Sequence, residues 1–134
     1  ARKMTVIFYD IPFIAPGKAW SPNTWKIRYC LHYKGTAHRT EWVEFPDIAP
    51  LCNELVIPPT GMNRDGIQRF TLPAIHDPAT GLYLADSMLI AEYLDKRYPD
   101  KPRMFPENTM GLYMVFSTAA PFTLGPLLAL ISPP

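Results

Sequence analysis

Two short stretches of the sequence carry residue types suited to holding a small charged ligand. Asp86 and Ser87 stand directly before a helix-forming segment, and both are residue types that begin helices. The unpaired N–H groups and the dipole of such a helix start favour a carboxylate or a phosphate. Pro73 stands at the start of a short apolar run, where it is a candidate for a cis peptide bond. A cis bond there would leave the backbone groups of Leu72 free to pair with an extended peptide ligand.

Both stretches also have an interpretation without chemistry, in which Pro73 is an ordinary loop proline and Ser87 only caps its helix. The surrounding sequence predicts a hairpin, because Ala74 to Asp77 and Leu82 to Ala85 are short apolar runs separated by a turn that contains proline and glycine. A helix follows directly. Its apolar face is predicted from residues with i, i+3, i+4, i+7 spacing: Ile90, Tyr93, Leu94 and Arg97.

Length and composition limit the class of protein. A chain of 134 residues with 48% hydrophobic content predicts one complete domain with one core. A formal net charge of +1 without long charge runs argues against nucleic-acid binding. The sequence has neither a membrane-spanning apolar run of roughly 18 residues nor a signal peptide, so we expect a soluble, cytoplasmic protein that does not bind membranes. Cys30 and Cys52 are too few for a disulfide framework, and we expect two buried free thiols.

The N-terminal third of the chain predicts a strand, a loop and a helix. Thr5 to Tyr9 is β-branched and aromatic, which is typical of a buried strand in a parallel pair. The helix is predicted from Pro22 to Lys34, with Ser21 as N-cap and proline at the first helical position. Cations cluster in its last turns, and Gly35 supplies the residue that ends it.

The middle of the chain is less regular. Arg39 to Phe45 alternates only partly and contains glutamates, which favours an edge strand. From Pro46 to Phe70 we expect irregular structure, with at most a short helix near Leu51 to Leu55. This order of elements predicts an α/β fold with a four-stranded mixed sheet and helices on both faces, since the first β-α-β unit requires parallel strands and the hairpin adds antiparallel ones.

Three motifs in this order carry a resemblance: S-P-N-T-W-K-I-R-Y-C-L-H-Y-K-G after the first strand, L-P-A-I after a loop, and A-D-S before the last helix. Together they resemble the N-terminal, thioredoxin-like domain of cytosolic glutathione transferases, over Thr5 to about Pro99. The S-P-x-x-W-[KR] helix opening resembles the fungal and bacterial branch that includes β-aryl-etherase-like enzymes.

The resemblance implies a role for the start of the first helix. In serine-type members a hydroxyl at this position donates a hydrogen bond to the glutathione sulfur and stabilises its thiolate, and Ser21 occupies that position here. A hydroxyl donor and a helix dipole both lower the pKa of a thiol, which is the direction that catalysis needs. Asn23 and Thr24 are secondary candidates. The alternative is that Ser21 is only an N-cap.

The resemblance also implies how glutathione is held. Leu72, before the cis-type Pro73, would pair by its backbone with the cysteinyl part. Ser87 would take the γ-glutamyl carboxylate and Asp86 would face the ammonium group, which matches each charge with an opposite partner. Glutathione is the co-substrate, and no metal is implied. For the glycyl carboxylate four side chains stay open: Gln68, Arg69, Lys18 and His38.

The chain departs from the family in its C-terminal part. We expect a thioredoxin-like glutathione-binding domain over residues 1–102 and a truncated start of an all-helical domain over residues 103–134. The apolar segment there predicts one helix and a proline-broken end, which cannot bury itself. We therefore expect a fragment of a longer protein, a clipped product or an obligate oligomer. The alternative is that the segment folds back onto the domain.

Three classes of function follow from these residues. The first is a glutathione transferase active in detoxification, a homodimer that conjugates glutathione to a small hydrophobic electrophile or uses it to cleave an ether. The second is a non-catalytic glutathione-binding, ligand-carrying or regulatory module. The third, a glutaredoxin-like oxidoreductase, requires a cysteine in the loop at S-P-N-T, and that loop has none.

Overall fold

The computed structural model describes residues 4–14, 16–19 and 21–131, and the chain divides into two units, Ala1–Met104 and Phe105–Pro134. This division falls two residues after the boundary expected from the sequence. The first unit is built on a four-stranded mixed sheet, as predicted, with the strand order β2-β1-β5-β6. Its strands are β1 (Val6–Asp10), β2 (His38–Trp42), β5 (Ala74–Asp77) and β6 (Leu82–Ala85).

The first β-α-β unit forms as predicted. Strand β1 pairs in parallel with β2, which lies at the sheet edge, and antiparallel with β5. Helix α1 (Pro22–Lys34) has the predicted bounds. It ends because Gly35 adopts φ 62° and donates its N–H to the carbonyl of His32, a left-handed conformation that glycine adopts without steric cost.

The sheet buries both of its faces. Successive residues of a strand point to opposite faces, so Phe8 and Tyr9 of β1 enter different cores. Tyr9 packs in a cluster with Ile48 and Cys52 of helix α2 (Ile48–Glu54). The other buried apolar residues come from β1, β5, α1 and helix α3 (Ser87–Arg97), and the largest are Phe8, Ile27, Leu31, Ile75, Ile90 and Leu94.

The segment 46–70 is more ordered than the sequence indicated. A short 3-10 turn (Phe45–Asp47) leads into α2, which begins before the predicted Leu51. A two-stranded sheet of β3 (Gly61–Met62) and β4 (Gln68–Arg69) follows, so the expectation of irregular structure there was wrong. Strands of two residues are too short to show an alternation of apolar and polar residues in the sequence. Their turn is closed by the N–H of Gly66, which has φ 81° and donates to the carbonyl of Asn63.

Two predictions about side chains need correction. The buried residues of α3 are Ile90, Ala91, Leu94 and Asp95. Tyr93 is half-buried and Arg97 is exposed, because Asp95 rather than Arg97 faces α1. Cys30 is half-buried, whereas Cys52 is buried as expected.

Lys34 shows why Asp95 faces inward. The sequence placed Lys34 only among the cations near the end of α1, but its side chain is fully buried. Its ammonium group donates to Asp95 Oδ1 at 2.7 Å and to the carbonyl of Pro102 at 2.9 Å. Asp95 in turn accepts the N–H of Met104 at 3.0 Å. Helices α1 and α3 are thus joined to each other and to residues 102–104.

The second unit contains helix α4 (Met110–Ile131). The sequence predicted a proline-broken end, and this was wrong, because the helix continues through Pro121 and Pro126. Each proline removes one backbone donor, but the adjacent turns remain bonded and several hydroxyls along the helix, including that of Thr118, donate to carbonyls one turn earlier. Within residues 4–14, 16–19 and 21–131, no helix has the length and hydropathy that a membrane crossing requires.

Candidate functional site

A cavity of about 360 Å³ lies in the first unit, where the starts of α1 and α3 and the segment before β5 meet. These three regions are separated in the sequence, and the fold brings them together at one edge of the sheet. The cavity is lined by Asn23, Thr60, Arg69, Thr71, Leu72, Pro73, Asp86 and Ser87. Five of the six site residues predicted from the sequence are therefore in its wall, and the sixth, Ser21, is two residues from Asn23.

The segment before β5 presents free backbone groups to this cavity. The Leu72-Pro73 peptide bond is cis, which confirms the prediction. The Leu72 side chain is buried in the core beneath the sheet. Among the described residues, neither the N–H nor the carbonyl of Leu72 has a hydrogen-bond partner. Such a pair of groups beside a cavity can bind an extended peptide as an added strand does.

The start of α3 combines a carboxylate with a free helix N-terminus. Asp86 caps the helix, since its Oδ1 accepts the N–H groups of Met88 at 2.9 Å and Leu89 at 3.3 Å. The interpretation of Ser87 as the cap was therefore wrong. Ser87 is the first helical residue, and in the part of the chain that the structure describes its N–H and hydroxyl make no hydrogen bond. A hydroxyl and N–H there suit a carboxylate, and the second Asp86 oxygen suits an ammonium group.

Asp86 holds this position at a conformational cost. Its φ of 78° and ψ of 118° lie outside the regions that non-glycine residues favour. Backbone strain of this kind persists only where the surrounding structure imposes it, and Asp86 makes both cap hydrogen bonds in this conformation. The cap therefore fixes the carboxylate at the cavity.

The start of α1 differs. Ser21 is buried, with 8% of its surface exposed, and occupies the N-cap position with an extended backbone. Ser21 is therefore the N-cap by position, as the alternative expected, but its side chain makes no capping hydrogen bond to the described residues of the helix. Its carbonyl accepts from the Thr24 hydroxyl and from the Trp25 N–H, both at 3.0 Å. Thr24 is fully buried, and its hydroxyl is already used in the bond to Ser21. Asn23 lines the cavity, and its side-chain oxygen accepts a hydrogen bond from the Lys26 ammonium group at 3.1 Å.

Arg69 is the only one of the four candidates for a carboxylate partner that lines the cavity. Its side chain lies across Gly61, where an added Cβ would come within 3.0 Å of a guanidinium nitrogen. Gly61 therefore leaves room for this side chain. Among the described residues its guanidinium makes no ion pair, so it remains available to an anion.

The other three candidates are elsewhere. His38 is bonded through Nδ1 to the carbonyl of Thr36 at 2.8 Å, and Lys18 lies 6.0 Å from the centre of the Trp42 ring. Gln68 precedes Arg69 in β4 but is absent from the cavity wall. Gln68 and Arg69 are adjacent in the chain, and the register of β4 against β3 determines that only Arg69 of the two lines the cavity.

Two threonines of the cavity were missed from the sequence. The hydroxyls of Thr60 and Thr71 are hydrogen-bonded at 2.8 Å, and the N–H of Thr60 donates to the carbonyl of Arg69 at 2.9 Å. These bonds tie both ends of the hairpin to the segment before the cis bond. Nothing local to either residue indicates this pairing, because it depends on the register of two-residue strands.

The cysteines do not take part in this site. Burial raises the pKa of the Cys30 thiol to about 11, with the Asp95 carboxylate adding to the rise, and burial also raises the pKa of Cys52. Both shifts oppose the thiolate that a thiol oxidoreductase needs. Among the described residues, no group of three or more His, Cys, Asp or Glu is placed to hold a metal ion.

The cavity wall therefore matches a peptide-like ligand with charged ends, on a thioredoxin-like fold. A family model described as "Glutathione S-transferase, N-terminal domain" matches residues 20–97, more than half of the chain. The chain belongs to the cytosolic glutathione transferase family. Its four-stranded mixed sheet with flanking helices is the thioredoxin-like fold of that family, followed by a partial helical region.

Two proteins from fungi are similar to this chain in sequence. The glutathione S-transferase-like protein ustS of Aspergillus flavus is 42% identical over 108 residues, which cover 75% of this chain and 38% of that protein. Glutathione transferase GSTFuA3 from Phanerochaete chrysosporium is 49% identical, with a TM-score of 0.84 over 87% of this chain and 47% of that one.

A glutathione S-transferase of Ceriporiopsis subvermispora, solved in complex with glutathione, is also 49% identical, with a TM-score of 0.89. The match covers 95% of this chain and 50% of that one. The chain thus spans about half the length of the solved structures it matches and less of the curated relatives.

Proposed function

We propose that this chain binds glutathione in the cavity and activates its thiol for transfer to a small hydrophobic electrophile. The observation that carries the proposal is the meeting, in one cavity, of three groups that have no partner among the residues the structure describes: the peptide edge at Leu72, the helix N-terminus at Ser87 and the guanidinium of Arg69. Each of these groups suits a different part of one tripeptide. The similarity to a transferase solved with glutathione supports the same ligand.

In this arrangement the two ends of glutathione meet opposite charges. The γ-glutamyl carboxylate is held by the hydroxyl and N–H of Ser87, and its ammonium group by Asp86. The cysteinyl backbone pairs with Leu72 ahead of the cis Pro73. The glycyl carboxylate pairs with Arg69, whose planar guanidinium can donate two parallel hydrogen bonds. The sulfur then lies toward the start of α1.

The chemistry follows from placing sulfur at that helix start. The thiol proton leaves to solvent, and the Ser21 hydroxyl donates a hydrogen bond to the resulting thiolate, with Asn23 as a second donor. The positive end of the α1 dipole also favours the anion. A sulfur lone pair forms the new S–C bond, and the leaving group, a phenolate in the case of an aryl ether, departs with the bonding electrons.

We propose further that the second substrate is apolar and that the protein acts as a cytoplasmic homodimer. On the second unit, α4 carries an apolar groove of about 440 Å³ lined by Met114, Val115, Thr118, Ala119 and Phe122. Exposed apolar surface of this kind suits a hydrophobic substrate or a protein partner. Light scattering after size-exclusion chromatography tests the dimer, since a monomer at all concentrations contradicts it.

Calorimetric titration with glutathione tests the central proposal. We would titrate the wild type and Ser21→Ala between about pH 5 and pH 9, with S-methylglutathione, which has no ionisable thiol, as the control ligand. Proton release on binding glutathione that is absent with the control ligand and lost in Ser21→Ala supports thiolate activation. Binding without proton release supports a glutathione-binding module instead, and absence of binding overturns the assignment of the ligand.

A further inference from the structure

The loop of residues 17–19, which precedes α1, has a conformation that needs support. Gly17 has φ 90° and Lys18 has φ 61°, so two consecutive residues are left-handed. The N–H of Ala19 then donates to the carbonyl of Gly17 at 2.7 Å, which closes a tight turn. Lysine is disfavoured in this region, so the loop depends on contacts outside itself.

One side chain supplies such a contact. The indole N–H of Trp25 donates to the carbonyl of Ala19 at 3.1 Å. The backbone N–H of the same residue donates to the carbonyl of Ser21 at 3.0 Å. The second bond is the first i→i−4 bond of α1, so the indole N–H is the group that ties Ala19 to the first turn of this helix.

Contacts that begin at the sheet hold the Trp25 indole in place. The guanidinium carbon of Arg28 lies 5.6 Å from the centre of the Trp25 ring, and the Tyr29 ring centre lies 5.1 Å from it. Arg28 donates to Asp10 Oδ2 at 2.6 Å, and Asp10 is fully buried at the end of β1. A continuous set of contacts thus runs from the core of the sheet through Arg28 and Trp25 to the loop.

These contacts lie close to Ser21 in the chain and bear on the orientation of its hydroxyl. A serine at an N-cap ordinarily turns its hydroxyl onto the amides of the first helical turn, and Ser21 does not. We infer that Trp25 is a positioning residue, whose indole N–H holds the loop so that the Ser21 hydroxyl stays off the helix amides and available to the glutathione sulfur. The inference depends on the proposed function of Ser21.

The test is Trp25→Phe in the 134-residue chain, which keeps an aromatic ring beside Arg28 and removes the N–H donor. The readout is the pKa of the bound glutathione thiol, followed by the ultraviolet absorbance of the thiolate as the pH is varied. We expect this pKa to rise by about one unit, which is about a tenfold fall in the acid dissociation constant of the bound thiol. A merely structural role would weaken binding or folding without this rise.

Trp42→Phe is the matched control. The Trp42 ring also lies beside Arg28, with its centre 5.4 Å from the guanidinium carbon, but within the described residues its indole N–H makes no hydrogen bond. We expect the thiol pKa in this variant to equal that of the wild type. An equal rise in both variants would overturn the inference, because the effect would then come from the ring contacts of Arg28 or Lys18 and not from the indole N–H of Trp25.

Two further measurements separate the inference from the proposal on which it rests. If Ser21→Ala leaves the thiol pKa unchanged, the proposed role of Ser21 fails and the inference falls with it. If Ser21→Ala raises the pKa and Trp25→Phe does not, only the inference is overturned. The double variant should equal Ser21→Ala, and an additional rise would show that Trp25 acts independently of Ser21.

If Trp25→Phe does not fold, the pKa of the bound thiol can be measured in an isosteric variant. Replacing Trp25 by benzothienylalanine keeps the shape of the bicyclic ring and exchanges only the N–H for sulfur. The same rise in thiol pKa is expected. An unchanged pKa in this folded variant would overturn the inference.

Discussion

Helices α1 and α3 begin at the same cavity, but their first residues use their side chains in opposite ways. Asp86 turns its carboxylate onto its own helix and accepts two backbone N–H groups. Ser21 keeps its hydroxyl off its helix. A cap that is satisfied by its own helix builds a rigid binding wall, whereas a cap position with a free hydroxyl can act on a ligand. The start of α3 therefore stabilises the binding wall, whereas the start of α1 offers a hydroxyl that can act on a ligand.

The opposite ends of the two helices are joined. Lys34 of α1 and Asp95 of α3 form a buried ion pair at 2.7 Å, and both side chains are almost entirely inaccessible to solvent. The relative position of the two helix starts therefore depends on this pair, because it joins the helices to each other.

The largest expected effect on stability comes from breaking the Lys34–Asp95 ion pair. Lys34→Met removes the ammonium group from this buried ion pair, which should lower the free energy of unfolding by about 3–5 kcal/mol. Urea denaturation measures it. The control is Lys96→Met, because Lys96 pairs with Glu92 at 2.6 Å with three-quarters of its side chain exposed, and we expect a change below about 1 kcal/mol. Equal losses in the two variants would show that burial of the pair is not what matters.

The next effect concerns the free hydroxyl. Ser21→Ala should lower kcat for glutathione conjugation by about 100-fold, which is the usual cost of removing one donor to a developing anion. The free energy of unfolding should change little, because the side chain makes no capping hydrogen bond. Stopped-flow turnover with a chromogenic aryl electrophile and thermal denaturation measure the two quantities.

Ser87→Ala is the matched serine at the other helix. It removes a hydroxyl that we assign to binding, so glutathione affinity should fall by about 1.5 kcal/mol while the pKa of the bound thiol stays unchanged. If the two serine variants gave the same pattern, the proposed distinction between the helix starts would be wrong.

A smaller effect is expected at the satisfied cap. Asp86→Ala removes both cap hydrogen bonds and should lower the free energy of unfolding by about 1–2 kcal/mol. Asp86→Asn keeps an acceptor oxygen and should retain most of this stability, but it should weaken glutathione binding because it lacks the charge that faces the ammonium group. Calorimetry and denaturation on the same samples separate capping from binding. Undiminished affinity in Asp86→Asn would remove Asp86 from the binding site.

The smallest effect is a pH dependence at the junction of the helices. Burial, with the Asp95 carboxylate, raises the pKa of the Cys30 thiol from 9.0 to about 11, so folding favours the neutral thiol. Its contribution to stability is complete below about pH 9 and is lost as the pH rises toward about 11. We expect the wild type to lose slightly more stability than Cys30→Ser between pH 8 and pH 10. An identical pH dependence of the two denaturation midpoints would contradict this.

Local signals were enough to predict much of the fold. The bounds of α1 follow from proline at its first position and glycine after its last, and the hairpin of β5 and β6 follows from two apolar runs and a turn. The cis bond at Pro73 was predicted for the same kind of reason, since proline at the first position of a strand carries its own restriction. These features depend on neighbours in the chain, which the sequence displays directly.

The site was only partly predictable. Its motifs indicated the starts of both helices and the peptide edge at Leu72, but not which residue caps α3 or which basic residue reaches the cavity. Arg69 is selected by the register of β4 against β3, and Thr60 and Thr71 by the same hairpin. Short strands and side-chain rotamers leave little periodic trace in a sequence.

The order of the elements, the helix starts and the family resemblance follow from the amino-acid sequence alone, because propensity, capping and spacing act over a few neighbouring residues. Which distant groups meet depends on how the elements pack. The tertiary structure buries Lys34 against Asp95 across 61 positions of the chain, and it sets the Trp25 indole against Ala19 while leaving the Ser21 hydroxyl off its helix. Such pairings arise when packed elements exclude water and each buried polar group must find a partner, a condition that no single segment satisfies alone.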